Sequence, residues 1–172
     1  YFPSAAAAWR LSEEDFIKDL NVFSNLKFRA SYGATGNQTF GNYLSLERLG
    51  NTTTFLGDTR LPGIASVQIA NPDLRWERTN QMDIGFDIGI LHDRLTFVVD
   101  YYHKKTNDLL LNAPIPETPG FATELMNIGS VQNTGFEFAF SSVNIAREKI
   151  RWSTDFNFSF NKNKVLALAN NN

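Results

Sequence analysis

The sequence has 172 residues, a formal net charge of −2 and no cysteine. That length suffices for one domain with a sizeable core. The charge gives no electrostatic case for nucleic acid, which would want a basic stripe, and the missing thiols exclude disulfides and thiolate metal sites. Aromatic residues make up 13% of the chain, fifteen of them phenylalanine, which is a bias toward strands. No apolar run approaches the ~20 residues of a membrane-spanning helix, a test that is blind to membrane β-strands.

The chain opens at Tyr1-Phe2-Pro3-Ser4 with no charged leader or apolar signal core and ends abruptly at Asn172, so it reads as a fragment. Segment 1–11 contains the run Ala5 to Ala8 but also Pro3 and Trp9, and is assigned as a strand. Residues 12–25 hold the helical pattern. Ser12 can cap, Glu13, Glu14 and Asp15 suit the positive end of the dipole, and Phe16, Leu20 and Phe23 share a face. Leu26 to Ala34 alternates as a strand, with Leu26, Phe28, Ala30 and Tyr32 against Lys27, Arg29, Ser31 and Gly33. A long loop over 35–75 follows, rich in Gly, Asn and Thr, with weak strand patches around Tyr43–Leu46 and Ile64–Ile69.

The clearest pattern lies at 79–106. Met82, Ile84, Phe86, Ile88 and Ile90 alternate with Gln81, Asp83, Gly85, Asp87 and Gly89. After a turn at 91–94, Leu95, Phe97, Val99 and Tyr101 oppose Thr96, Asp100, Tyr102 and Lys104, with only Val98 out of phase. This predicts an antiparallel hairpin. Residues 107–127 form a second long loop, punctuated by Pro114, Pro116, Pro119 and Gly120. Residues 128–141 form a strand with Phe136, Phe138 and Phe140 against Gly135, Glu137 and Ala139. A shorter connection at 142–149 leads to a strand over 150–161. There Ile150, Trp152, Phe156, Phe158 and Phe160 oppose Arg151, Ser153, Asp155, Asn157 and Ser159, and Thr154 interrupts the apolar face. The tail from Lys162 is basic and then Asn-rich.

About six antiparallel strands in up-and-down order are therefore expected, an all-β meander. Short or medium connections fall at one end of the sheet and long ones at the other. Outer-membrane barrels show that asymmetry, with short periplasmic turns (here 91–94 and 142–149) and long external loops (35–75 and 107–127). A soluble sandwich would explain the alternation equally well, with the apolar face as a core. Strand length, loop asymmetry and aromatic density favour part of a larger transmembrane barrel. In that case Ile84, Phe86, Phe97, Phe136, Phe138, Phe156 and Phe158 face lipid, and Asp83, Asp87, Asp100, Glu137 and Asp155 face the lumen. Tyr32, Trp76, Tyr101, Trp9 and Trp152, near strand ends, suit interfacial girdles. Six strands leave open edges, which lipid does not tolerate, so the fragment needs neighbours.

Six segments in order resemble one family: FPSAAAAWRLSEEDF at 2–16, LKFRASYGATGNQ at 26–38, NPDLRWERTNQMDIGFDIGIL at 71–91, DRLTFVVDYYHKKTNDLLL at 93–111, NIGSVQNTGFEF at 127–138 and WSTDFNFSFNKNKV at 152–165. They resemble the C-terminal half of the barrel of SusC/RagA-type TonB-linked outer-membrane proteins of Bacteroidetes. The resemblance implies a plugged barrel of roughly 22 strands in the cell outer membrane that imports oligosaccharides or peptides. It also implies a SusD-like surface lipoprotein as lid and energy from the TonB–ExbB–ExbD complex through a plug absent here. A siderophore or cobalamin receptor shares the architecture. A soluble carbohydrate-binding module and an outer-membrane lipase or protease are the readings from other classes, the last disfavoured by the lack of a Ser-His-Asp spacing.

Other candidate sites carry less. His92 and His103 have no partner at metal-ligand spacing and read as turn and strand-end residues, so no metal or cofactor is implied. Asp83 and Asp87 share a face, as a solvated wall rather than an acid–base pair. Gly33-Ala34-Thr35-Gly36-Asn37 lacks the Lys-Ser/Thr of a phosphate loop, and the sequons at Asn37 and Asn51 carry little meaning for a bacterial barrel. In the long loops, Tyr43, Phe55 and Phe121 could stack on sugar rings or pack against a lid, or simply close the loops on themselves.

Overall fold

A computed structural model describes residues 1–37, 41–116 and 120–168. Gln38, Thr39, Pro119 and the Asn-rich end lie outside the described residues. In chain order the strands are β1 (Ser4–Arg10), β2 (Phe23–Asn37), β3 (Arg48–Leu56), β4 (Thr59–Gln68), β5 (Glu77–Ile90), β6 (Leu95–Asn107), β7 (Leu110–Pro114), β8 (Thr123–Asn127), β9 (Ser130–Arg147) and β10 (Ile150–Ala167). Six of them form one sheet in the order β1-β2-β5-β6-β9-β10, and β3-β4 and β7-β8 form two separate hairpins. The chain divides into two units, one of residues 1–35, 79–105 and 131–164, the other of 36–78, 106–130 and 165–172. The first holds the body of the sheet, the second the two hairpins.

Period-two alternation produces the sheet as expected. β1 and β2 pair antiparallel from Ser4↔Gly33 to Arg10↔Lys27, which puts Trp9 beside Phe28. The expected helix over 12–25 is cut to a 3-10 turn at Leu11–Glu13 and one α-turn at Asp15–Lys18. Neither has a side-chain cap, so Ser12 does not serve as one. A single turn returns little for its nucleation cost, and Phe23 onward belongs to β2 instead.

The long segment 35–75 is not an irregular loop. β3 and β4 pair from Arg48↔Gln68 to Leu56↔Thr59 around a turn in which Gly57 takes φ +62°, the left-handed conformation that glycine adopts at no cost. The expected patch at Tyr43–Leu46 is a turn, and only the Ile64 patch falls in a strand. The segment 107–127 likewise contains β7 and β8, paired from Leu110↔Asn127 to Pro114↔Thr123.

The connection expected over 142–149 shrinks to the two residues Glu148 and Lys149, because β9 runs on to Arg147. Asn144, on the parity of Phe136, Phe138 and Phe140, bonds Thr154 across the strands at 2.8 Å, while Val143 and Ile145 take the parity of Glu137. β10 similarly absorbs the basic start of the tail. These corrections sharpen the asymmetry of the connections, since the sheet's short links are now 11–22, 91–94 and 148–149.

The turn at 91–94 carries three consecutive non-glycine residues in the left-handed region, Leu91, His92 and Asp93, at φ 54°, 57° and 59°. Each costs roughly 1–2 kcal/mol relative to right-handed geometry. Side chains hold it. Ser24 Oγ donates to the Asp93 carboxylate at 2.8 Å and accepts from the Asp93 N–H at 2.9 Å. The Arg94 guanidinium donates to the carbonyls of Val143 and Asn144 at 3.0–3.3 Å, tying this turn to β9.

Gly135 in β9 lies under the ring of Tyr102, and a Cβ there would come 2.6 Å from the ring and 2.5 Å from the Phe160 carbonyl. A Gly135→Val substitution in the full-length protein should therefore lower the yield of folded, heat-modifiable protein on gels by several-fold. His92→Gly should leave the yield unchanged and raise the denaturant midpoint, by about 0.5–1 kcal/mol of stability.

Candidate functional site

The sheet's two faces are chemically opposite, and the side-chain contacts sort the residues between them. On one face Phe28 meets Phe86 at 5.1 Å, Phe97 meets Phe140 at 5.0 Å and Phe138 at 6.2 Å, and Tyr101 meets Phe136 at 4.9 Å. Ile84, Phe156 and Phe158 share that parity along β5 and β10. This face is not a core: Phe158 is 58% exposed, and no large side chain among the described residues is fully buried.

The other face is built from charge. Arg29 on β2 reaches Asp87 on β5 through Nε and Nη2 (2.8 Å at the shortest), and reaches Asp100 on β6 at 2.9 Å through Nη2. Lys27 adds a looser contact to Asp87 at 3.9 Å. Gly85 makes the arrangement possible, because any Cβ there would collide with the Asp100 carboxylate and crowd the guanidinium. Alongside, Ser31 Oγ and Gln81 Nε2 donate to Asp83 at 3.2 and 2.9 Å, and Ser141 donates to Asp155. Glu137 lines a shallow groove of about 440 Å³ with Val98, Asp100, Ala139, Asn157 and Ser159. The out-of-phase Val98 thus packs on the polar face. All five expected acidic positions fall on one face, and Arg29 gathers two of them. Ion-paired and hydrogen-bonded carboxylates of this kind form a wall, with no nucleophile or acid–base geometry.

The three aromatic residues of the long connections do not converge. Phe121 lines a cleft of about 390 Å³ with Leu44, Val67, Ile69, Asn112 and Leu125, and Glu124 and Thr123 give it a polar side. Tyr43, in a turn at φ 63°, is 77% exposed, and Phe55 near the tip of the β3–β4 hairpin is 69% exposed; neither lines that cleft. No cluster of His, Asp or Glu among the described residues could hold a metal. His103 instead meets the Thr134 hydroxyl at 3.3 Å.

Sequence reasoning missed the residues that fix these connections. Asn71 is buried, donates to the Leu125 carbonyl at 2.8 Å and accepts from the Asp73 N–H at 3.1 Å. Asn127 accepts from the Arg75 N–H at 2.6 Å and donates to the Arg75 and Asp108 carbonyls at 2.7 and 2.8 Å, imitating a strand partner. Glu77 receives the Leu110 N–H at 3.1 Å and the Asn37 amide at 2.8 Å. The available signal was Asn71-Pro72, a turn initiator.

The chain matches the family described as TonB dependent receptor-like, beta-barrel, over residues 1–172. It is 42% identical over 168 residues to TonB-dependent receptor P3 of Formosa agariphila, covering 98% of this chain and 17% of that protein. It is 36% identical over 174 residues to TonB-dependent receptor SusC of Bacteroides thetaiotaomicron, again covering 98% and 17%. Among solved structures it is similar to the RagAB peptide transporter, with TM-score 0.84 and 30% identity over 97% of this chain and 18% of that one. The chain thus spans about a sixth of the length of these relatives. It belongs to the β-barrel family of TonB-dependent receptors.

Proposed function

We propose that residues 1–172 are part of the wall of an outer-membrane, TonB-dependent importer of oligosaccharides or peptides that works with a SusD-like surface lipoprotein. The observation that carries this reading is the likeness over 97% of the chain, at 30% identity, to a protein described as the RagAB peptide transporter. The two opposed faces supply its physics. Acyl chains meet the face of Ile84, Phe86, Phe97, Phe136, Phe138, Phe156 and Phe158. The watery lumen meets Asp83, Asp87, Asp100, Glu137 and Asp155. Reversing the faces would put five carboxylates and Arg29 in hydrocarbon, where a midplane arginine alone costs roughly 2–4 kcal/mol. The short turns then lie in the periplasm and the hairpins β3–β4 and β7–β8 outside the cell. There the cleft around Phe121, and the exposed Tyr43 and Phe55, are placed to meet substrate or lid. Energy would come from TonB–ExbB–ExbD acting on a plug elsewhere in the protein. The role is transport, with no chemical step.

The full-length receptor should partition with membranes and need detergent for extraction; recovery in the soluble fraction would sink the barrel reading. Loss of the receptor should abolish growth on its oligosaccharide or peptide, and the SusD-like lipoprotein should co-purify with it. Phe138→Arg should impair barrel assembly, read by heat-modifiability, at least several-fold more than Glu137→Arg one residue away. Equal behaviour of the two would refute the face assignment. Arg29→Met leaves Asp87 and Asp100 facing each other without their shared cation. It should lower barrel stability by about 1 kcal/mol in a denaturant titration, as befits a partly solvated pair.

A further inference from the structure

The register that carries the aromatic stripe changes character toward the long connections. Tyr101 meets Phe136 at 4.9 Å with the rings tilted; two residues further along β6, His103 meets Thr134 at 3.3 Å, and Gln132 Nε2 donates to that hydroxyl at 3.3 Å. β9 lies between β6 and β10, and Asn163 bonds Asn133 at 2.7 Å, which fixes the alignment of those two strands. Three successive rows across β6, β9 and β10 result. The first is Tyr101, Phe136 and Phe160, the second His103, Thr134 and Lys162, the third Lys105, Gln132 and Lys164. The stripe therefore ends in a cationic border.

That border has no counter-charge on its own face. The acidic residues of β5, β6, β9 and β10 (Glu77, Asp83, Asp87, Asp100, Glu137 and Asp155) all have the opposite parity. Lys105, Lys162 and Lys164 form no ion pair among the described residues, and the last two are exposed. Strand spacing near 4.8 Å and a rise near 3.3 Å per residue put their Cα atoms within about 12 Å of one another. Flexible four-carbon stems let the three ammonium groups converge on one anion. Depth agrees. From Trp152 to Phe160 the stripe runs about 26 Å along β10, or about 20 Å across a bilayer after a typical barrel tilt, close to the apolar band of such proteins. The lysines then stand at the level of the lipid headgroups.

We propose that Lys105, Lys162 and Lys164, with His103, Thr134 and Gln132 between them, bind the phosphate of an outer-leaflet membrane lipid against the outside of the wall. The proposal rests on the face assignment above. An anchored phosphate lipid is held by the lysines at its headgroup and by Tyr101, Phe136 and Phe160 along its chains.

The test is native mass spectrometry of the detergent-solubilised full-length receptor titrated with phosphatidic acid and with diacylglycerol of the same chains. Wild-type protein should retain phosphatidic acid adducts and few of diacylglycerol. The triple variant Lys105→Gln, Lys162→Gln, Lys164→Gln should lose at least about tenfold in phosphatidic acid binding, given the attraction that each basic residue exerts on anionic lipid. Lys164→Gln alone, at an exposed position, should lose about two- to threefold, which keeps the test decisive if the triple variant folds poorly. Equal phosphatidic acid binding by wild type and variants, or equal binding of both lipids, overturns the site. So does displacement of the lipid by inorganic phosphate at equal concentration, which would mark a free-phosphate site. A triple variant that keeps its lipid but no longer co-purifies with the lipoprotein would assign the patch to a protein partner, and also overturns it. Failure here with the Phe138/Glu137 contrast intact removes only the lipid site; loss of that contrast removes the face assignment itself.

Discussion

Everything in this chain depends on strands of 13 to 18 residues that pair with each other while no large side chain among the described residues is fully buried. A soluble sheet of this width would bury one face under a helix or another sheet, and its strands would contain large, inaccessible side chains. Here the backbone of the inner strands β2, β5, β6 and β9 is paired on both sides within the sheet, and the side chains alone decide what each face can touch. Period two is the only device available, because a one-residue slip exchanges the faces completely. The register must therefore be held firmly along the whole strand length.

Several local features hold it. Arg29 spans β2, β5 and β6 on the charged face, so a slip of any one strand breaks one of its ion pairs. Gly85 reinforces that choice by leaving room only for this arrangement. Tyr102 over Gly135 does the same between β6 and β9, an aromatic ring covering a glycine across the strands. At the short-turn end, Ser24 and Arg94 fasten a strained turn to both of its neighbours. The strain at Leu91, His92 and Asp93 is tolerated because these contacts over-determine it. None of these pairs is worth much alone; their value lies in acting on the same register.

The sheet was legible because alternation survives in a single sequence: period two alone sorts the five carboxylates and the aromatic stripe onto opposite faces from Met82 to Phe160. The hairpins were not, and the reasons are physical. β3 and β4 carry threonines, Asn51 and Pro62 where a period-two pattern needs apolar residues, and both of their faces are largely exposed. A strand exposed on both sides leaves no hydrophobic period to read. Asn71 and Asn127 were invisible for another reason. Their partners, Leu125, Arg75 and Asp108, are 19 to 54 residues away, and a side chain that satisfies distant backbone looks like any loop asparagine. The loop aromatics were legible as residues but not as a site, since only Phe121 lines the cleft.

The same parity argument explains why the lysine border escapes composition and charge totals. Lys104 and Lys105 are adjacent in sequence, as are Lys162, Asn163 and Lys164, and read along the chain they look like a solvated basic tail. Read across the sheet, Lys104 belongs to the charged face, while Lys105 joins Lys162 and Lys164 at the end of the aromatic stripe. A net charge of −2 hides this, because the acids that balance the sum all stand on the opposite face. In a soluble sheet such segregation would cost little and mean little, since water screens both faces alike. Beside a bilayer it matters, because the lysines that end the apolar stripe must face a layer rich in lipid headgroups. The alternation that makes the wall thus also decides which of its cations can meet a lipid.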